Sequence, residues 1–193
     1  MAVQLKPRTF SPKEYLALER SAAFKSEYLH GQIFAMAGGS RERSAITANV
    51  TGEMTQQLKG TPCQAHSSDL KVRTSIEGLY AYPDLSIICG KPSFHDDQRD
   101  VVLNPIALVE VLSPSTESYD RGTKWVAYQQ IETLRDYVMI FQTEPRIDLY
   151  SRPDKGDWVL STHNGLDAAV EIPSIDCSLR LSEVYHRIEL SLS

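Results

Sequence analysis

The sequence feature that most constrains the fold is a carboxylate inside a continuous apolar segment. Residues 106–112 read IALVEVL, the pattern of a central β-strand with both faces buried. Glu110 interrupts this segment, and a buried carboxylate is unfavourable unless a cation or hydrogen-bond donors compensate it. The chain is therefore expected to form a sheet that buries an acid together with its partner.

A second acid stands at the start of the preceding apolar segment. Residues 80–89 read YAYPDLSIIC, in which Asp84 precedes the apolar part and Pro83 is acceptable at the start of a strand. Two strands that each present a carboxylate near one end are typical of a Mg²⁺ site, because Mg²⁺ prefers oxygen ligands. The same residues also fit a structural interpretation, in which Asp84 caps a turn and Glu110 pairs with a buried Arg or Lys.

Lys124 is the third unusual position. It lies in the first turn of a predicted helix at about 120–131, where the helix dipole disfavours a cation. The side chain either points into solvent or, because this helix follows the Glu110 strand through a short loop, lies over the end of that strand. In the second case its ammonium group would position a water molecule or stabilise charge on a phosphate.

The rest of the chain predicts helices mixed with strands. Ser11, Pro12 and Glu14 form a helix start, and a hairpin or bent strand is expected at about 26–38. Apolar residues every fourth position predict a helix from Arg43 to Lys59. Further strands are expected at about 62–74, 136–142, 146–151, 157–162 and 168–172, with a last helix from about Ser182. This order indicates a single α/β or α+β domain over 1–193, with a sheet flanked by helices and a β-rich extension from 145 onward.

Composition limits the classes of function. The chain has 193 residues, with 20 Lys and Arg against 25 Asp and Glu, and its net charge of −5 argues against binding nucleic acid by overall charge alone. We find no apolar segment near the roughly 18 residues of a membrane span, and the N-terminus lacks the apolar stretch of a signal peptide, so a cytoplasmic protein is expected. Cys63, Cys89 and Cys177 are expected to be reduced core residues, with a redox or metal role as the alternative.

Three spaced motifs resemble the Uma-type family of putative restriction endonucleases, a bacterial family within the PD-(D/E)XK nuclease superfamily. The motifs are Tyr82-Pro83-Asp84, then Glu110-Val111-Leu112-Ser113-Pro114-Ser115-Thr116, then Asp120-Arg121-Gly122-x-Lys124-x-x-x-Tyr128. The resemblance covers about residues 10–190 and includes Glu27-Tyr28-Leu29, Met36, Ser68-Asp69-Leu70 and Leu134-Arg135-x-Tyr137. It implies a restriction-endonuclease-like core, in which a mixed sheet has helices on both sides.

The resemblance also implies roles for individual residues. Asp84 matches the PD aspartate, Glu110 matches the acid of the (D/E)XK element, and Glu27 matches an earlier acid of the family, so all three are expected to be metal ligands. Most superfamily nucleases carry Lys at the position of Leu112, and the resemblance places that catalytic lysine at Lys124 instead. Arg43 stands where many relatives carry a His before the long helix.

These features predict a Mg²⁺-dependent endonuclease for DNA, with Mn²⁺ as a substitute, in which Glu27, Asp84 and Glu110 bind the metal and Lys124 assists. Asp69 and Tyr128 are possible supporting residues, although both also fit structural roles. Weak, salt-sensitive DNA binding and a homodimer are expected. The alternatives are a catalytically silent nuclease-fold module that binds nucleic acid or protein, and a hydrolase of another phosphate ester. The predicted phosphate contacts are Arg41, Arg43, Lys71, Arg73 and Arg121.

Overall fold

A computed structural model describes residues 8–36, 38–75, 78–154 and 156–190. The strands are β1 (Ser26–Leu29), β2 (Gln32–Ala35), β3 (Cys63–Ser67), β4 (Lys71–Arg73), β5 (Tyr80–Ala81), β6 (Leu85–Cys89), β7 (Val101–Val102), β8 (Ala107–Leu112), β9 (Asp136–Phe141), β10 (Arg146–Ser151), β11 (Val159–Asn164), β12 (Ala169–Ile172) and β13 (Cys177–Arg180). The helices are α1 (Pro12–Glu19), α2 (Arg41–Gln57), α3 (Glu117–Tyr119), α4 (Trp125–Tyr128) and α5 (Leu181–Val184). A π-helical turn, Asp120–Lys124, joins α3 to α4, and a 3₁₀ turn covers Pro173–Ile175.

The Glu110 strand lies inside a six-stranded mixed sheet. The strand order is β11-β10-β9-β8-β6-β3, in which β8 and β9 run parallel and the other neighbours run antiparallel. A five-stranded sheet of order β2-β1-β5-β4-β7 and the hairpin of β12 and β13 complete the described strands. This mixed α+β architecture confirms the predicted fold class.

Both faces of the central sheet are covered, and β8 contributes to each. Val109 and Val111 belong to a core cluster shared with α2, while Leu108 and Leu112 belong to a second cluster shared with α4. Because side chains alternate along a strand, Glu110 shares the face of Leu108 and Leu112. Glu110 therefore lies beneath the segment that carries α3, the π-helical turn and α4.

The first three predicted elements agree with the structure. Ser11 caps α1, because its hydroxyl accepts from the Glu14 amide while the Glu14 carboxylate accepts from the Ser11 amide. The β1–β2 hairpin turns at His30 and Gly31, whose φ angles of 45° and 89° lie in the left-handed region that favours glycine. The apolar residues that predicted α2 form its buried face: Ile46, Val50 and Met54.

Two predicted strands are each divided between the two sheets. The segment at 62–74 forms β3 in the central sheet and β4 in the five-stranded sheet, because a turn closed by the Leu70 amide on the Ser67 carbonyl separates them. The segment at 80–89 divides at Pro83 and Asp84 into β5 and β6. These turns connect the two sheets, and the second one sets Asp84 at the start of β6.

The C-terminal half also differs from the predicted boundaries. The helix expected at 120–131 ends at Tyr128, and it begins with α3 and a π-helical turn. Strand β13 was not predicted, and the last described helix, α5, has four residues. Among the described residues, no helix is both long and apolar enough to cross a membrane.

The expectation for the cysteines was wrong for two of the three. Cys63 and Cys89 form a disulfide, because the antiparallel pairing of β3 with β6 places them opposite one another with Cα atoms 3.9 Å apart. Twenty-six positions separate the two in the sequence, so their spacing gave no signal of this pairing. Cys177 is a buried free cysteine, as expected.

Candidate active site

Lys124 lies at the centre of three buried carboxylates, and we call these four residues the Lys124 cluster. Its Nζ atom is 3.1 Å from Glu27 Oε1, 3.1 Å from Glu110 Oε1 and 3.3 Å from Asp120 Oδ1. The four residues are at most 5% exposed. One ammonium and three ionised carboxylates would give the cluster a formal charge of −2, so the structure buries more negative charge here than its lysine neutralises.

Three separate parts of the fold supply this cluster. Glu27 comes from β1 in the five-stranded sheet, and Glu110 comes from β8 in the central sheet. Asp120 and Lys124 begin and end the π-helical turn, four positions apart, so they lie on the same side of the segment. Turns of this kind inside helices are common at functional sites.

Tyr128 connects α4 to the same carboxylate. Its hydroxyl donates to Glu110 Oε1 at 3.0 Å, the oxygen that also accepts from Lys124. Two donors therefore converge on one oxygen of Glu110 and fix the orientation of its carboxylate. Tyr128 is fully buried, so its hydroxyl acts through Glu110 in this structure and not through direct contact with solvent.

Asp84 lies next to the Lys124 cluster but has its own partners. The guanidinium of Arg43 donates to both carboxylate oxygens, at 3.0 Å and 2.8 Å, and the Val111 amide donates to Oδ2 at 2.8 Å. The register of β6 with β8, in which Leu85 pairs with Val109, places Asp84 at the Glu110 end of the strand pair. The Arg43–Asp84 pair is neutral, in contrast to the neighbouring cluster.

The pKa shifts follow from this burial of charge. Burial raises the pKa of Glu110 to about 8, Lys124 lowers it, and Asp120, Asp84 and Glu27 add to the rise. Burial alone would lower the pKa of Lys124, but Glu110, Glu27 and Asp120 outweigh that effect and raise it well above the ordinary value. The lysine is therefore held as an ammonium ion.

A cavity of about 640 Å³ opens beside the cluster. Glu27, Asp120 and Lys124 line it, and so does Arg43. The rest of the lining comes from the β2 end, the turn before α2, the loop after β8, α3 and the residue after β9, at Phe34, Ala35, Met36, Gly38, Gly39, Ser40, Ser113, Pro114, Ser115, Thr116, Tyr119 and Gln142. A charged floor with mixed polar and apolar walls suits a ligand that carries both a charged group and an apolar part.

The donor chemistry of the cluster fits a hard divalent cation. Glu110 Oε2 and Asp120 Oδ2 are buried and have no hydrogen-bond partner, which is costly for carboxylate oxygens unless a cation compensates them. The carboxylates do not form a complete coordination site as they stand, since within the described part of the chain no group of three acidic, His or Cys side chains is placed to hold a metal ion. The oxygens are present, and Lys124 lies among them.

Several predicted contacts lie elsewhere. Asp69 is exposed and pairs with Lys25 at 2.5 Å, away from the cluster, which fits its structural interpretation. The phosphate contact expected at Lys71 needs correction, because that side chain is 1% exposed and its ammonium is 2.5 Å from Glu19. Arg73 contacts His95 Nδ1 at 2.6 Å in the five-stranded sheet.

Two acids were missed by the sequence reasoning. Asp120 was read only as part of a motif, although its position four residues before Lys124 was a usable signal. Asp148 is fully buried on β10, where Arg121 donates to it at 2.8 Å and Arg146 donates to both of its oxygens. Arg121 belongs to the π-helical turn, so Asp148 anchors the turn that carries Lys124. No periodicity in the sequence distinguishes Asp148 from an exposed strand residue.

Comparison with known proteins identifies relatives over nearly the whole chain. The family model Uma2, described as "Putative restriction endonuclease", matches residues 12–182. "Uncharacterized protein slr1290" from Synechocystis sp. is 38% identical over 175 residues, covering 91% of this chain and 90% of the relative. "Uncharacterized protein sll1609" from the same organism is 29% identical over 171 residues, covering 89% and 97%.

A solved structure shows the same fold. The crystal structure of a putative nuclease belonging to DUF820 from Anabaena variabilis superposes with a TM-score of 0.75 at 18% identity, over 91% of this chain and 97% of that one. The architecture described above is therefore that of a known protein fold. The family match confirms the resemblance that the three motifs indicated.

Proposed function

The chain belongs to the Uma2 family, described as "Putative restriction endonuclease", and we propose that it is a Mg²⁺-dependent endonuclease that hydrolyses DNA phosphodiester bonds with a metal-activated water molecule. The observation that carries the proposal is the convergence of Glu27 and Glu110 on Lys124, at a place where Glu27 and Lys124 line the cavity. A buried excess of carboxylates beside a lysine is what metal-assisted phosphoryl chemistry requires, because the acids bind the cation and the lysine faces the anion.

The residues proposed to hold the ion are Glu27, Asp84 and Glu110, with Mn²⁺ as a substitute for Mg²⁺. When bound, such an ion polarises a phosphoryl oxygen and lowers the pKa of a bound water molecule. Lys124 donates hydrogen bonds to a phosphate oxygen and stabilises the negative charge that develops there. Tyr128 keeps the Glu110 carboxylate in one orientation through its hydrogen bond.

DNA is the proposed substrate, and its binding is expected to be weak and salt-sensitive. Arg41 is exposed at the start of α2, Arg43 lines the cavity and Arg121 is partly exposed on the π-helical turn. Arg43 and Arg121 are already paired with Asp84 and Asp148, so these side chains leave little free positive charge on a chain whose net charge is −5, and few phosphates would be contacted. A homodimer is proposed because two-fold pairing presents one site to each strand of a duplex.

Plasmid nicking tests the proposal. With Mg²⁺ or Mn²⁺, we expect Glu110→Gln and Lys124→Met to lower the nicking rate by about 100-fold or more, a typical loss for a group that acts in the chemical step. Asp69→Asn is the matched control, since this acid is exposed and lies outside the cavity. Nicking that resists EDTA, or that survives both site substitutions, would contradict the proposal.

The second candidate function is a nuclease-fold module that binds nucleic acid without cleaving it. The Arg43–Asp84 pair favours this alternative, because both oxygens of the expected PD aspartate accept from one guanidinium. On this alternative, a fluorescent DNA duplex binds with a salt-dependent affinity that neither EDTA nor Glu110→Gln changes. Fluorescence anisotropy in parallel with the nicking assay separates the two functions.

A further inference from the structure

We propose that the Lys124 ammonium occupies the position of the divalent cation among Glu27, Glu110 and Asp120, so that the ion and the lysine compete for these carboxylates. Asp120 is then a further ligand of the ion. The inference rests on the proposed metal-dependent function and extends it, because it gives Lys124 a role in controlling access to the site as well as in contacting phosphate.

The distances around Lys124 Nζ support this competition. Three carboxylate oxygens from three elements lie 3.1, 3.1 and 3.3 Å from the nitrogen, as expected for charge-assisted hydrogen bonds around one cation. Mg²⁺ binds oxygen at about 2.0–2.1 Å, so the same oxygens would need to close by about 1 Å around the smaller ion. One position among three oxygens cannot hold both cations.

The Lys124 ammonium does not provide a hydrogen bond to every carboxylate oxygen around it. Glu110 is fully buried and its Oε2 has no hydrogen-bond partner, and the same holds for Oδ2 of Asp120, which is 2% exposed. An ammonium has three donors, and the three distances above account for them. A divalent cation with six coordination positions can use both the second oxygens and the first ones.

The cavity provides a place for the displaced side chain. Lys124, Glu27 and Asp120 all line it, so the four-carbon side chain of Lys124 can move outward without leaving the site. The cavity is also where the substrate phosphate is proposed to bind. A lysine displaced by the metal therefore stays within reach of the phosphate. The same movement would free the carboxylates for the ion and bring the ammonium to the phosphate.

Mn²⁺ binding to the full chain, measured by isothermal titration calorimetry, is the first test. We expect Lys124→Met to bind Mn²⁺ at least about tenfold more tightly than the wild type, because the competing charge is removed. Asp120→Asn is expected to bind it about tenfold more weakly. Asp69→Asn serves as the control and should match the wild type.

The second test uses only the wild-type protein, so it does not depend on a variant that folds. Trace reductive methylation, read by peptide mass spectrometry, measures how accessible each lysine is with and without Mn²⁺. Labelling of Lys124 should rise severalfold in saturating Mn²⁺, while Lys71, which is also deeply buried, should stay unlabelled.

Two outcomes overturn the inference, and they differ in what they imply for the proposed function. Mn²⁺ binding and nicking without any change in Lys124 labelling, or with equal affinity in Lys124→Met, contradict the competition and leave the endonuclease proposal intact. A failure of both the wild type and Lys124→Met to bind Mn²⁺ contradicts the inference and the metal-dependent function together. If Lys124→Met does not fold, the labelling experiment decides alone.

Discussion

Two clusters in the described part of the chain are each built around a buried lysine, and they differ in how many of their carboxylate oxygens have a hydrogen-bond donor. Around Lys71, one oxygen of Glu19 accepts from the ammonium at 2.5 Å and the other accepts from the Tyr82 hydroxyl. Arg20 extends this cluster by pairing with Asp96 and Asp100. Both oxygens of its buried acid therefore have donors, whereas Glu110 and Asp120 in the Lys124 cluster each have an oxygen without one.

The second difference is access. Glu27, Asp120 and Lys124 of the Lys124 cluster line the large cavity, while Lys71 is packed beneath the rings of Tyr15 and Tyr82, with its ammonium 5.6 Å and 5.2 Å from their centroids. A buried lysine with buried acids is thus not in itself a mark of a functional site. Unmatched acceptors beside a cavity are the more informative observation, and this distinction can be tested.

The largest effect is expected from breaking the matched cluster. Lys71→Met leaves Glu19 buried without its cation, and we expect a loss of about 3–5 kcal/mol in the free energy of unfolding, the range for a broken buried ion pair. Urea denaturation followed by circular dichroism measures it. The control is Lys25→Met, whose ion pair with Asp69 is partly exposed and should cost at most about 1 kcal/mol. A cost for Lys71→Met no larger than the control would contradict the structural role assigned to this cluster.

The second prediction concerns the anchor of the π-helical turn. Asp148→Asn weakens the charge-assisted hydrogen bonds from Arg121 and Arg146, and we expect a loss of about 1.5–3 kcal/mol at pH 7. Burial raises the pKa of Asp148, but hydrogen bonds from Arg146, Thr162 and Arg121 outweigh that effect and lower it below its ordinary value of 3.8. The carboxylate therefore contributes its stability above pH 3.8 and loses it as the pH falls through the lowered pKa.

Urea titrations of wild type and Asp148→Asn at neutral and acidic pH check both parts of this prediction. The difference between the two proteins should be full at pH 7 and should shrink only below the ordinary carboxyl range. A difference that disappears already near pH 5 would show that the pKa of Asp148 is not lowered. The nicking rate should also fall, because Arg121 and Lys124 share the π-helical turn.

The two clusters also show what the sequence can and cannot reveal. Glu110 and Asp84 were found because a carboxylate in or at the start of an apolar strand is locally anomalous. Lys124 was found because a cation is unfavourable in the first turn of a helix, and the family motif then matched it to the catalytic lysine. Lys71 was misassigned because its partner Glu19 lies 52 positions earlier in the sequence, and no local pattern reports a contact of that kind. Tertiary packing of α1 against the five-stranded sheet buried a side chain that alternation alone would leave exposed.

The geometry of the site could not be predicted from local sequence patterns either. The π-helical turn determines that Asp120 and Lys124 meet the sheet together, and propensities that predict a helix do not distinguish a π turn from an α turn. The division of residues 62–74 and 80–89 between two sheets follows from how the sheets pack. The existence of strands and helices was predictable from the sequence, whereas the partners of each strand were not.

The third prediction is that removing a charge from the Lys124 cluster does not lower the free energy of unfolding, in contrast to the loss expected for Lys71→Met. Above its raised pKa of about 8, Glu110 is ionised in a cluster that holds more acids than cations; at such a pH Glu110→Gln removes one charge, and its amide oxygen can still accept from Lys124 and Tyr128. In metal-free buffer we expect the free energy of unfolding to stay equal or to rise by about 1 kcal/mol, because burying an uncompensated charge is costly. Urea denaturation in EDTA measures this. A loss above about 2 kcal/mol, roughly the contribution of a hydrogen bond to a charged group, would contradict the excess of negative charge assigned to the Lys124 cluster.

The smallest expected effect is a change in Mn²⁺ affinity on breaking the Arg43–Asp84 pair, which belongs to neither lysine cluster. Arg43→His replaces a guanidinium that contacts both oxygens of Asp84 with the side chain that the family resemblance leads us to expect at this position. An imidazole cannot form the same two-pronged pair, so one oxygen of Asp84 becomes available as a ligand. We expect Mn²⁺ to bind about threefold more tightly, a change of about 0.7 kcal/mol, with a parallel rise in nicking.

Arg41→His, on the exposed start of the same helix, is the control. If Mn²⁺ affinity is unchanged while Glu110→Gln abolishes binding, Asp84 is not a ligand and the Arg43–Asp84 pair is structural, like the Lys71 cluster.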